Sequence, residues 1–137
     1  MTSQQTLDSF IRSNHITMTA ERTDSNPAMD SAEAHCNMDH WRVTLRHAGR
    51  RMTLTFSQGY GHNGNLPKVA DVLDCLSSDA SSVVNDDFED FAANMGYDTD
   101  SRKALRTYNL CKRQADKLER MLGSDLFTAL LYNTERL

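Results

Sequence analysis

Residues 59–64 read Gly-Tyr-Gly-His-Asn-Gly, a literal G-x-G-x-x-G between a strand-like and a helix-like run. In a dinucleotide-binding unit such glycines let backbone N–H groups approach a pyrophosphate at a helix start. That chemistry needs a parallel βαβ context. Here the preceding strand belongs to an antiparallel hairpin, and Pro67 stands at the start of the following helix. The segment reads first as a Gly/Asn turn joining sheet to helix. A second reading has it offer Tyr60 and His62 to a macromolecular partner, and a third has it hold a small nucleotide.

His35, Cys36, Asp39 and His40 lie close in sequence, and His62 could join them. These are zinc-ligating types, but structural zinc sites draw on two separated ligand pairs, and the second pair is missing. No metal is expected. Asp98-Thr99-Asp100 lacks the alternating ligands, the glycine and the distal Glu of a calcium loop, so it reads as the cap of a helix. No G-x-S-x-G stands anywhere in the chain. Cys75 and Cys111 fall on or near apolar helix faces, where cysteine usually serves as a small core residue. An enzymatic role therefore has no motif behind it, and no cofactor is expected.

The 19 acids and 15 Lys plus Arg give a formal charge of -4 that conceals strong segmentation. Residues 41–68 hold Arg42, Arg46, Arg50, Arg51 and Lys68 with no acid, and residues 69–100 hold nine acids with no base. Residues 101–137 are again basic. Such blocks either pair inside the fold or face outwards as separate patches, and the sequence leaves both open. An outward acidic block would present Asp74, Asp86, Asp87, Glu89 and Asp90 to a partner. Carboxylates at regular helical spacing can imitate the phosphates that a basic groove is built to hold. The alternative surface is basic: Arg42, Arg46 and Arg51 on one face of a hairpin, joined by Lys103, Arg106, Lys112, Arg113 and Lys117, would suit a nucleic acid. That hairpin face carries no aromatic for base stacking.

The elements that position these residues follow from periodicity. Leu7, Phe10 and Ile11 predict a short helix over 3–13. Ile16, Met18 and Ala20 alternate with polar residues as a strand. Residues 23–40, with Pro27, predict a long polar loop. Trp41, Val43 and Leu45, then Met52, Leu54 and Phe56, alternate with Arg and Thr on either side of Ala48-Gly49, which predicts a hairpin with one apolar face. The rest is helical. Pro67 stands near a first-turn position, and Val69, Val72, Leu73 and Leu76 make one stripe. Asn85 is expected to cap the next helix, whose stripe is Phe88, Phe91, Ala92 and Met95. The longest helix runs roughly over 101–122, and Leu105, Tyr108 and Leu118 on it should pack on the hairpin. Ser124 is expected to cap the last helix. The expectation is an α+β fold, a small antiparallel sheet of about three strands with four to five helices on one face, in a single domain over 1–137.

With 39% apolar residues the chain has enough to build a core. No apolar run approaches the ~20 residues of a membrane helix. The start MTSQQTLDSFIRSN has neither a basic region nor an apolar signal stretch. Three scattered cysteines make no disulfide framework. A cytoplasmic location follows as an expectation.

At Phe56-Ser-Gln-Gly-Tyr-Gly-His-Asn-Gly64, then Pro67 and Asp71-Val-Leu-Asp-Cys-Leu76, then Gly96-Tyr-Asp-Thr-Asp-Ser-Arg102, the chain resembles small uncharacterised proteins encoded in phages and prophages. The likeness spans most of residues 41–137 and carries no catalytic motif. It implies a phage setting inside a bacterial host cell. In that setting the expected role is non-enzymatic: binding and inhibiting a bacterial defence complex, in the manner of anti-CRISPR or antirestriction proteins. The expected partner is a host protein complex.

Overall fold

The computed structural model describes residues 5–24, 26, 38–59, 65–96 and 102–135. Its strands are β1 (Gln5–Thr6), β2 (Thr17–Thr23), β3 (Met38–His47), β4 (Arg50–Gly59) and β5 (Thr134–Glu135). Its helices are α1 (Leu7–Ser13), α2 (Val69–Val83), α3 (Phe88–Asn94), α4 (Arg102–Leu122) and α5 (Ser124–Tyr132). The architecture is α+β: β2, β3 and β4 form an antiparallel sheet in that order, and α4 packs against the sheet with α2, α3 and α5 gathered on α4.

The hairpin follows its alternation. Val43 pairs with Leu54 and Leu45 with Met52, so same-face apolar residues become cross-strand neighbours. Trp41, Val43, Leu45 and Met52 are buried, while Leu54 and Phe56 are half-buried. Ala48 and Gly49 make the turn, both with positive φ, at 49° and 80°. That is the backbone that joins strands of right-handed twist through two residues.

α4 organises the helical layer. It packs on β3 and β4 and also against α2, α3 and α5. Its buried residues, Ala104, Cys111, Ala115, Leu118, Met121 and Leu122, recur at three- and four-residue steps and so share one face. α2 buries Val72, Leu73, Leu76, Ala80 and Val83. Of its acids Asp71 is exposed, while Asp74 and Asp79 are half-buried.

Several sequence-based expectations are corrected. Strand pairing continues to Thr23 opposite His40, so Thr23 and Met38–His40 belong to the sheet and not to the 23–40 loop. Pro67 precedes the N-cap, Lys68, and lies outside the first turn of α2. α3 starts from Asp87, whose carboxylate accepts the backbone N–H of Asp90 at 2.9 Å. Asn85 instead donates to the hydroxyl of Tyr132 at 3.0 Å. Gly123, with φ of 87°, is the residue before α5, and Ser124 is already helical. Leu105 is 45% exposed, and the buried position near the start of α4 goes to the neighbouring Ala104. Thirteen residues separate Leu105 from Leu118, which at about 100° per residue places them on opposite sides of the helix. The expected cap at Asp98–Asp100 lies outside the described residues. A short parallel pair, β1 with β5, ties the two ends of the described chain together.

Candidate interaction surfaces

Much of both charge blocks is exposed, while Asp74, Asp79 and Asp86 are half-buried. Among the described residues the ion pairs are Arg22 with Asp39 and Arg42 with Glu21, the latter at 3.5 Å. Both lie on the sheet, and neither draws on the acidic helices.

The acidic surface is built by α2, the short link after it and α3. Asp74, Ser78, Ser81 and Ser82 of α2 face Asp86, Phe91, Asn94 and Met95 across a cleft of about 600 Å³. Asp86 accepts a hydrogen bond from the Asn94 amide at 3.3 Å, and its backbone carbonyl accepts from the Tyr108 hydroxyl at 2.9 Å. The second bond, together with Tyr108 packing on Phe88 and Phe91, anchors this wall of the cleft to α4. Met95 is 50% exposed at the cleft. Asp74 is half-buried, where a wholly outward acidic block would have it exposed. Asp87, Glu89 and Asp90 are exposed at the start of α3. Asp87 is committed to capping, and Glu89 and Asp90 also favour the helix dipole. The structure thus joins Asp74 and Asp86 in one cleft, with the other three predicted acids beyond it.

Deeper along the α2–α4 contact lie two thiols. Desolvation is the first cause that pushes both Cys75 and Cys111 up to about 11, although Cys75 as a residue is exposed. The carboxylates of Asp79 and Asp74 add to the rise at Cys75, and Asp79 and Cys75 add to that at Cys111. Asp79 is itself shifted upward by burial. Thiols held protonated in this way are poor nucleophiles.

Arg42, Arg46 and Arg51 of the hairpin fall on the sheet face away from the helices. Arg42 is paired with Glu21, and Arg46 donates to the Thr19 hydroxyl at 2.9 Å. Arg46 stands directly opposite Arg51 in the β3–β4 register. At the turn, Arg50 donates to the Arg120 carbonyl at 3.1 Å and His47 Nδ1 lies 3.3 Å from the Met121 carbonyl. The Arg50 guanidinium thereby meets one of the terminal carbonyls of α4. Two clefts open here, of about 500 and 470 Å³. They share Arg50 and Arg51. One adds His15, Arg46 and His47, the other Lys117 and Arg120, and among the described residues no acid lines either. Periodicity does not join Arg120 to the hairpin, because the two segments meet only through the packing of α4 on β4.

The other end of the sheet carries a polar cluster that sequence reading also missed. Ser57 Oγ lies 2.7 Å from His40 Nδ1 and accepts from the Asn26 amide at 3.0 Å. His40 and Ser57 are cross-strand partners, so the register alone would have found them. Asp39 is ion-paired with Arg22, whose guanidinium also lies over the Trp41 ring. These two candidate zinc ligands, Asp39 and His40, therefore serve the sheet. His35, Cys36, Tyr60 and His62 lie outside the described residues. Among the described residues no three His, Cys, Asp or Glu side chains group as metal ligands, and no helix is long and apolar enough to cross a membrane.

Compared with known proteins, the chain matches no family model, no curated protein and no solved structure.

Proposed function

We propose that the chain is a phage- or prophage-encoded interaction protein that binds and inhibits a bacterial defence complex, without catalysis and without a cofactor. The observation that carries this reading is the acidic cleft of α2 and α3. It combines the carboxylates of Asp74 and Asp86 with the exposed thioether of Met95 and the edge of Phe91. Acids alone would suit any cation. Acids beside an accessible apolar side chain suit a protein surface that offers Lys or Arg next to apolar contacts.

The mechanism is occupation. A groove built for nucleic acid carries Lys and Arg spaced for phosphates, and carboxylates held on two packed helices can take those positions. Exposed Glu89 and Asp90 would extend the negative field beyond the cleft and speed the encounter. The phage setting comes from the resemblance of residues 41–137, and the surface supplies the mode of action.

The test is phage plating on bacteria that carry a CRISPR or restriction system. Expression of the chain should restore plaque formation against at least one such system. The D74K/D86K/E89K/D90K variant, folded by circular dichroism, should restore none. Equal rescue by that variant would remove the acidic cleft from the account, and failure of the natural chain against every system tested would remove the inhibitory role. Asp87 is left intact because it caps α3.

A further inference from the structure

We propose a second, independent binding surface: a cationic ridge formed by α4 and the β3–β4 hairpin that seats the phosphate backbone of double-stranded DNA. Its residues are Lys103, Arg113, Lys117 and Arg120 of α4, with Arg46 and Arg51 of the hairpin, all exposed.

The ridge is set by helical spacing. Arg113, Lys117 and Arg120 are separated by four and three residues, so they share one flank of α4. Lys103 continues that flank toward the helix start, and from Lys103 to Arg120 the row is about 25 Å long at 1.5 Å per residue. The same helix buries its other side in the core, so the row cannot turn inward. At its far end the cleft lined by Arg51, Lys117 and Arg120 joins the row to the sheet, and the neighbouring cleft adds Arg46.

Two further observations point to an anion. Arg46 and Arg51 are direct cross-strand partners, an arrangement in which like charges repel. Among the described residues no acid lines either cleft to relieve them. Arg50 is different: its bond to the Arg120 carbonyl gives it a structural role. The nearest acid along the row is Asp116, three residues from Arg113 and four from Arg120. It trims the field at one edge without interrupting the line from Lys117 to Arg51.

The shape of the surface selects the occupant. Among the described residues no Phe, Tyr or Trp side chain lines either cleft, and single strands are held chiefly by base stacking on such groups. Readers of duplex RNA reach across two successive minor grooves. A row of about 25 Å is shorter than one turn of B-form DNA, about 34 Å, and suits contact along one stretch of its backbone. Contacts made through phosphates position a protein without reading sequence.

The experiment measures anisotropy of a labelled 20-base-pair duplex of mixed sequence with the full chain, from 50 to 200 mM salt. Six phosphate contacts, one for each residue of the ridge, predict a log–log salt slope of about -5.4, a loss of roughly a thousandfold or more in affinity over that range. The R51E/K117E variant should lose at least tenfold at 50 mM salt, and R51K/K117R should keep its affinity. If R51E/K117E unfolds, R113E/K117E removes the same charge from α4 alone. K68E, outside the ridge, should change nothing. Absence of duplex binding at 50 mM salt would overturn the proposal, as would equal binding by both charge reversals. Tighter binding of a 20-mer single strand or RNA duplex would overturn the choice of occupant. Self-association at low salt that R51E/K117E abolishes, without DNA binding, would make the ridge an interface between copies and also overturn it.

Discussion

Arg46 and Arg51 face each other across the β3–β4 ladder, with Thr19 as the hydrogen-bond acceptor for Arg46 and, among the described residues, no carboxylate lining the cleft beside them. A like-charged cross-strand pair costs stability. Arg51→Glu should therefore stabilise the fold at low salt by about 0.2–1 kcal/mol, read as a raised urea midpoint at unchanged slope. The gain should shrink at high salt, since exposed charges are screened over about 10 Å at 0.1 M. An unchanged or lowered midpoint at low salt would show that the pair carries no repulsion.

Leu118 is fully buried and Leu105 is 45% exposed on the same helix. Leu118→Ala should cost about 2–5 kcal/mol by transfer and cavity terms. Leu105→Ala should cost less than about 0.5 kcal/mol. Chemical denaturation separates the two, and similar losses would contradict the packing of α4.

Ala48 holds a φ of 49° in the hairpin turn. A residue with Cβ pays roughly 1–2 kcal/mol in the left-handed region, which Asn tolerates better. Ala48→Asn restores the preferred Asn-Gly pair and should raise the melting temperature. A fall would mean that the turn does not keep this backbone.

The thiols give a pH prediction. With pKa values near 11, Cys75 and Cys111 remain protonated at neutral pH and thiolate appears only as the pH approaches 11. In a Cys36→Ser background, alkylation at pH 8 should be slow despite the exposure of Cys75. Its rate should climb steeply up to that pH. Asp79→Asn removes a negative charge that raises both values, so it should speed alkylation. Asp79 is itself raised, so the folded state holds its proton to higher pH than the unfolded chain. Its ionisation thus opposes folding as pH rises through the folded pKa, and Asp79→Asn should stabilise the chain at neutral pH. Fast labelling at pH 8 would contradict this account.

Much of the fold was legible because the hairpin repeats every two residues and the helices every three to four. Trp41, Val43, Leu45 and Met52 lie on the face that alternation assigns them. Helix ends were less legible. Asn85, Asp86 and Asp87 can all cap, and Asn85 is drawn to Tyr132, 47 residues away. Charge was legible as blocks but not as surfaces. The acidic cleft requires α2 and α3 to face each other, and the basic ridge requires the hairpin turn to meet the end of α4. Both meetings depend on packing between segments distant in sequence, so composition named Asp74 and Lys117 without showing their neighbours. It also could not show that Asp87 would be taken by a backbone N–H.

The central claim is that the carboxylates around Asp74 and Asp86 engage a defence complex. Its most direct measurement is the affinity of the purified chain for the complex whose activity it blocks in plating, followed by surface plasmon resonance across a salt series. The account predicts binding that weakens steadily from 50 to 300 mM salt, with at least a hundredfold loss for D74K/D86K/E89K/D90K and none for R51E/K117E. Salt-independent binding that the acid reversals leave intact would contradict it.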